Sequence, residues 1–153
     1  MIIEIFERLD EILSEENAEF RKTGMIELKH CEFKILGQMA LLESKIDIEL
    51  IGTADIDAYT TAQRYIIEKL NSILPSYGFS FDELSPEIWM PDETTYIHMY
   101  SGDLIDLYRA DPVYVMVSKT IKAPDKNAAL IAEYSSIAPR EYFLLLEKYK
   151  EKK

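Results

Sequence analysis

The chain has 153 residues, 48% of them hydrophobic and 29% charged, with a formal net charge of −11 at pH 7. Length and composition fit one domain with a real core, so residues 1–153 read as a single unit, and disorder along most of the chain is excluded. The acid excess argues against an extensive nucleic-acid footprint, which needs a basic face, and suits divalent cations, small ligands or a basic protein partner.

Ile2, Ile5, Phe6, Leu9, Ile12 and Leu13 recur at helical spacing and predict an amphipathic helix over 2–16. Residues 31–36 alternate as in a strand; Gly37 breaks the pattern, and 38–43, with Met39, Leu41 and Leu42, read as a short helix. Residues 54–59 predict another strand. Thr60 or Thr61 is expected to cap a helix with Tyr65, Ile66, Leu70 and Ile73 on its inner side, ended by Pro75 and Gly78. Residues 79–93, with Pro86 and Pro91, read as irregular. Residues 94–100 and 104–109 predict a hairpin around Ser101-Gly102-Asp103. Asp111-Pro112 is a helix-start signal, and Pro124 and Pro139 can open two further helices. The run 142–153 ends in lysines, which suit a helix C-terminus better than a nucleic-acid tail. The expected fold is α+β, a small mixed β-sheet flanked by helices, with the strands near 31–36, 54–59 and 104–109 as neighbours. The order is not a regular βαβ alternation, which argues against a doubly wound sheet.

Cys31 is the one cysteine, so no internal disulfide can form, and a reducing compartment is expected. As a nucleophile it would need His30 or His98; the simpler reading is a small core residue. No apolar run approaches the roughly 18 residues of a bilayer span. The N-terminus carries acids where a signal peptide has bases. A cytoplasmic protein without a membrane segment is expected.

The stretch with most chemistry is Gly52-Thr53-Ala54-Asp55-Ile56-Asp57. Alternation along a strand points Asp55 and Asp57 the same way and Ile56 the other. Strand interiors disfavour aspartate, and two like charges on one face repel, which a hard divalent cation such as Mg²⁺ or Mn²⁺ would offset. The bland alternative is a solvated strand face. Asp106, alone among apolar residues in Leu104-Ile105-Asp106-Leu107-Tyr108, is the candidate third acid, with Glu87 as second choice. Asp106 could equally be an edge-strand charge.

These residues carry a resemblance. Leu36-Gly37-Gln38-Met39-Ala40-Leu41 followed by Gly52-Thr53-Ala54-Asp55-Ile56-Asp57 resembles the core of the nucleotidyltransferase superfamily with a DNA-polymerase-β-like fold, and more narrowly the small bacterial and archaeal domains related to AbiE-type toxins. The segment 117–127, with Lys119 and Lys122, is similar to the lysine-bearing helix after the last core strand of those domains. The resemblance covers roughly residues 30–135 and implies an Mg²⁺-dependent transfer of a nucleoside monophosphate from a nucleoside triphosphate to a hydroxyl acceptor. It assigns Asp55, Asp57 and Asp106 to catalysis and metal ligation. It assigns Gly37, Gln38, Thr53, Lys119 and Lys122 to the nucleotide and its phosphates. The setting it implies is a toxin–antitoxin or phage-defence module. The chain departs from the pattern in two places. Gly37-Gln38 stands where Gly-Ser or Gly-Gly is usual, and the nearest base before the acidic strand is Lys45 rather than a closer arginine. Those departures carry the alternative, a catalytically inactive relative that binds a protein partner.

His98, in Tyr96-Ile97-His98-Met99-Tyr100, reads as a strand histidine first and a general base second. Two histidines and one cysteine argue against a zinc site. Trp89 beside Pro91 reads as a cleft wall or a lid over the core.

Overall fold

The computed structural model describes residues 2–150. In chain order the regular elements are α1 (Ile2–Thr23), β1 (Cys31–Ile35), α2 (Gly37–Ser44), β2 (Asp55–Ile56), β3 (Ala58–Thr60) and α3 (Arg64–Ile73). They continue with β4 (Ser80–Phe81), β5 (Tyr96–Ser101), β6 (Ile105–Ala110), α4 (Pro112–Lys122), α5 (Ala128–Ser135) and α6 (Arg140–Lys150). Short 3₁₀ turns occupy Leu74–Tyr77 and Ser85–Glu87.

The main sheet has the order β3-β1-β6-β5. β1 pairs antiparallel with β3 and parallel with β6, and β6 pairs antiparallel with β5, so the sheet is mixed as expected. The three strands expected as neighbours do adjoin, with β1 in the middle. Along β1 the side chains of Cys31, Phe33 and Ile35 are buried while Glu32 and Lys34 are half-exposed. β6 repeats this with Ile105 and Leu107 inside and Asp106 and Tyr108 on the other face. One face of the sheet thus joins the core and the other is polar, the usual arrangement where helices cover one side.

The α1 stripe lies on the apolar face. Ile2, Ile5, Phe6, Leu9 and Leu13 are buried, and the Phe6 and Phe33 rings stand 4.9 Å apart. α1 runs seven residues beyond the expected end at 16 and is tied by Asn17, whose side-chain oxygen accepts the Leu28 N–H at 2.7 Å. Asp10 is 5% exposed in the same helix. Its carboxylate accepts the N–H groups of Asp103 and Leu104 and the Tyr100 hydroxyl, at 2.9, 2.8 and 3.0 Å. Gly102 leaves room for that carboxylate, which a β-carbon there would strike.

Two expectations need correction. Neither threonine caps α3: Thr60 Oγ1 donates to Glu32 O and Thr61 Oγ1 accepts the Glu32 N–H, so both are spent on the edge of β1. Gln63 stands at the α3 N-cap without a side-chain cap bond. Nor is 79–93 wholly irregular, because β4 pairs parallel with β2 in a separate two-stranded ladder. The Asp111 cap is as expected, with its carboxylate accepting the Val113 N–H at 3.0 Å and Pro112 in the first turn. α6 starts directly after Pro139, whereas α5 starts only at Ala128. No helix among the described residues is long and apolar enough to cross a membrane.

Candidate functional site

The carboxyl end of β1 gathers most of the candidate residues. Leu36 donates its N–H to Asp57 O at 2.8 Å, which lays the turn after β1 against the acidic segment. Gly37 opens α2 with φ +58°, a left-handed value that glycine takes without steric cost. A β-carbon at Gly37 would stand 2.8 Å from Asp57 Oδ2, so that carboxylate would have to shift to admit one.

The strand expected over 54–59 is split into β2 and β3 in different sheets, with Ala54 exposed in a bend, but 55–59 keep their alternation across the step. Ile56 and Ala58 are buried, Asp55 is exposed and Asp57 is half-buried. Asp55 Oδ1 accepts the Ser80 hydroxyl at 2.8 Å, and the Asp55 N–H donates to Thr53 Oγ1 at 3.2 Å. The β2–β4 register places Asp55 opposite Ser80 and Ile56 opposite Phe81. The next residue on each strand is an aspartate, and the two carboxyl groups, Asp57 and Asp82, are hydrogen-bonded to each other. Two carboxylates in contact repel, which favours the protonated form of Asp57. Burial first, then the bond to Asp82 and the repulsion of Asp82 and Asp55, push Asp57 up to about 6 against the pull of Lys119. Ser85, fully buried, braces the pair from behind: its hydroxyl accepts the Ala58 N–H and donates to Asp82 O.

Lys119 on α4 is a cation that acts on Asp57. Burial and the neighbouring Lys126 lower its pKa, and Asp57 acts in the opposite sense. The residues frame a cavity of about 890 Å³ whose lining includes Gly37, Gln38, Thr53, Asp55, Asp57, Asp82, Lys119 and Lys126. Its far wall is the 49–53 loop and α5. Gln38 Nε2 donates to Ile51 O at 2.8 Å, and the Glu49 N–H donates to Glu133 Oε1 at 3.2 Å. The Gln38 side chain therefore anchors the loop.

Asp106 is not in this group, which corrects its expected place as the third acid. It pairs in register with Glu32 near the start of β1, whereas Asp57 lies past the end of that strand. Four strand residues separate the two levels, about 13 Å at the usual rise. Asp106 Oδ2 instead contacts His30 Nε2 at 2.9 Å on the polar face of the sheet. That bond, and one to Ser101, hold its carboxyl below the usual range, and His30 is raised in turn. The acid that meets Asp57 in the cavity is Asp82. Its signal in the sequence was Phe79-Ser80-Phe81-Asp82, an alternation ending in aspartate much as 54–57 does, obscured by a strand of two residues ahead of Pro86.

Lys122 lies beside the cavity rather than in it. Its ammonium sits 5.3 Å from the Trp89 ring, and it borders a smaller depression of about 260 Å³ that also touches Asp57, Asp82 and Lys119. Glu87 lines neither depression. His98 Nε2 contacts Ser101 Oγ at 2.8 Å and its ring packs on Tyr108, an arrangement without a cavity. Cys31 is 2% exposed, and burial pushes its thiol up to about 12, which leaves it protonated and inert.

Among the described residues no three His, Cys, Asp or Glu side chains form a ready-made metal cage. Mg²⁺ does not require one, since it commonly takes one or two carboxylates and completes its shell with water and substrate phosphate. The Asp57–Asp82 pair, all-oxygen and short of one positive charge, fits that demand. Compared with models of protein families, with curated proteins and with solved structures, the chain matches none.

Proposed function

We propose that this cavity binds a nucleoside triphosphate with Mg²⁺ and transfers the nucleoside monophosphate to a hydroxyl acceptor. The observation that carries the reading is the Asp57–Asp82 carboxyl pair set against the bare backbone of Gly37, with Lys119 opposite. The earlier resemblance through Leu36–Leu41 and Gly52–Asp57 points to the same place and adds the reaction class, with the DNA-polymerase-β-like architecture as its fold. Asp82 takes the third-acid role first expected of Asp106.

Asp57 and Asp82 would hold the cation, and Asp55, already oriented by Ser80, would reach it from the open side. A bound Mg²⁺ would offset the repulsion between these acids, neutralise phosphate charge and favour in-line attack at the α-phosphorus. Lys119 and Lys126 would offset the remaining phosphate charge from α4 and the segment after it. Leu50, Ile51 and Leu130 provide apolar wall for a base, and the loop held by Gln38 and Glu133 would screen the phosphates from water.

A specific feature favours a second reading. Glu49, Asp55, Asp57, Asp82 and Glu133 face only Lys119 and Lys126 in the cavity. Such an acid excess suits a non-enzymatic domain that receives a basic segment of another protein. Label transfer separates the two. The chain is incubated with each α-labelled nucleoside triphosphate, Mg²⁺ and a cell extract containing RNA and protein. Transfer that disappears in Asp57→Ala supports the enzyme. Absence of transfer with every nucleotide, together with no binding by calorimetry, overturns it in favour of the binding domain.

A further inference from the structure

α6 packs inward through Tyr142, Leu145 and Leu146, against α4 among other elements. Its outer side carries a second stripe, Arg140, Phe143, Leu144 and Glu147, whose spacing of three, four and seven residues puts them on one face. Phe143 is 45% exposed and Leu144 51%. These side chains border a shallow depression of about 390 Å³. Neighbouring charges on the helix are engaged, Lys148 with Glu93 at 2.7 Å and Glu141 with the Tyr114 hydroxyl at 2.6 Å. Arg140 and Glu147 have no ion-pair or hydrogen-bond partner among the described side chains. An apolar centre flanked by unpaired charges of opposite sign is what an interface leaves exposed when its other half is missing.

We propose that this face is a homodimer interface in which the α6 helices of two copies pack antiparallel across a twofold axis. The stripe complements itself under that operation. The midpoint between Phe143 and Leu144 along the helix is also the midpoint between Arg140 and Glu147. An axis through that point sets Arg140 opposite Glu147 of the partner subunit, repeats the pair on the other side, and packs Phe143 on Leu144 twice. A twofold interface requires this self-complementarity, whereas a parallel pairing would bring Arg140 against Arg140 and Glu147 against Glu147. The patch also meets an obstacle specific to this chain, because each copy carries a net charge of −11. The Arg140–Glu147 pairing across the axis, made twice, sets attraction against that repulsion where the copies touch. The helix is only about 16 Å long, which places the contact at the low end of interface sizes and the dimer in the micromolar range.

Sedimentation equilibrium of the chain from about 5 to about 500 µM at physiological ionic strength tests this directly. The wild type is expected to show a reversible monomer–dimer equilibrium. R140E and E147R, both exposed exchanges that leave circular dichroism unchanged, should each weaken it at least about tenfold by facing like charges. Mixing R140E with E147R should restore a heterodimer, because every facing pair is then of opposite sign. The R140E/E147R double variant should dimerise alone for the same reason. A wild type that stays monomeric at the highest concentration overturns the proposal and leaves the face to a foreign protein or to solvent. A dimer indifferent to both charge changes, or a mixture that fails to recover association, overturns it as well.

Discussion

A β-carbon at position 37 would stand 2.8 Å from Oδ2 of Asp57, and the glycine that avoids this holds φ +58°. Gly37→Ala therefore meets a steric and a conformational penalty together. Urea unfolding should show a loss of about 1–3 kcal/mol. Calorimetry with a nucleoside triphosphate and Mg²⁺ should show binding weakened beyond what instability explains. Wild-type stability in the variant would mean that the turn relaxes freely and that the contact with Asp57 is incidental.

The raised carboxyl of Asp57 sets a pH dependence for the chain without cation. Asp57 is raised from 3.8 to about 6, so the folded state binds its proton more tightly than the unfolded chain does. The resulting stabilisation is complete below about 3.8 and is lost as pH rises through about 6. Asp57→Asn, which keeps a hydrogen bond to Asp82 without the charge, should gain on the wild type between pH 4 and pH 8. With solvent screening the gain should be on the order of 1 kcal/mol. Parallel denaturation curves at the two ends of that range check it, and an unchanged difference would remove Asp57 as the titrating group.

Divalent cation binding should stabilise the fold. Mn²⁺ at ten times its Kd would add about 1.4 kcal/mol, roughly 4 °C in Tm for a chain of this size. The shift should be larger at pH 8 than at pH 5, since the cation competes with the proton on the acid pair. Asp57→Asn and Asp82→Asn should abolish it, and Asp106→Asn should leave it intact. An equal shift in all of these variants would place the cation elsewhere; loss in Asp57→Asn and Asp106→Asn, with Asp82→Asn unaffected, would restore the original assignment.

Asp10 offers a prediction about architecture. Its buried carboxylate accepts the Asp103 and Leu104 N–H groups and the Tyr100 hydroxyl. Asp10→Ala leaves those donors without an acceptor and should cost about 3–5 kcal/mol. Hydrogen exchange at the amides of Asp103 and Leu104 should accelerate more than at β1. Uniform acceleration would show that the turn does not depend on this residue separately from the whole fold.

The contrast between Asp57 and Asp106 shows how far the site could be read from the chain. Local alternation was enough to set Asp55 and Asp57 on one side of their segment, because that relation depends only on the strand period. The position of Asp106 depended on register, and parallel pairing with β1 slides it to Glu32 instead of to the end of the strand. Register across a long crossover has no local signature. Asp82 failed for the opposite reason: its pairing is local to β2, but β4 has two residues and shows no period of its own. Helices with strong apolar stripes, α1 and α3, were legible, whereas the α3 cap was not, because tertiary contacts with Glu32 claimed both threonines.

The position of β1 has a consequence for how the molecule comes to exist. Its parallel neighbour pairs Cys31 with Ile105, so the central strand waits for a segment far along the chain before its second edge is filled. Contacts of such sequence separation slow folding, since the intervening loop must be ordered first. A nascent chain halted between Asp82 and β6 would already contain Gly37, Asp57 and Asp82 but not the strand that pairs with the second edge of β1. During synthesis the acids are made early and the cleft late, so any ligand that depends on Lys119 as well can engage only a finished molecule.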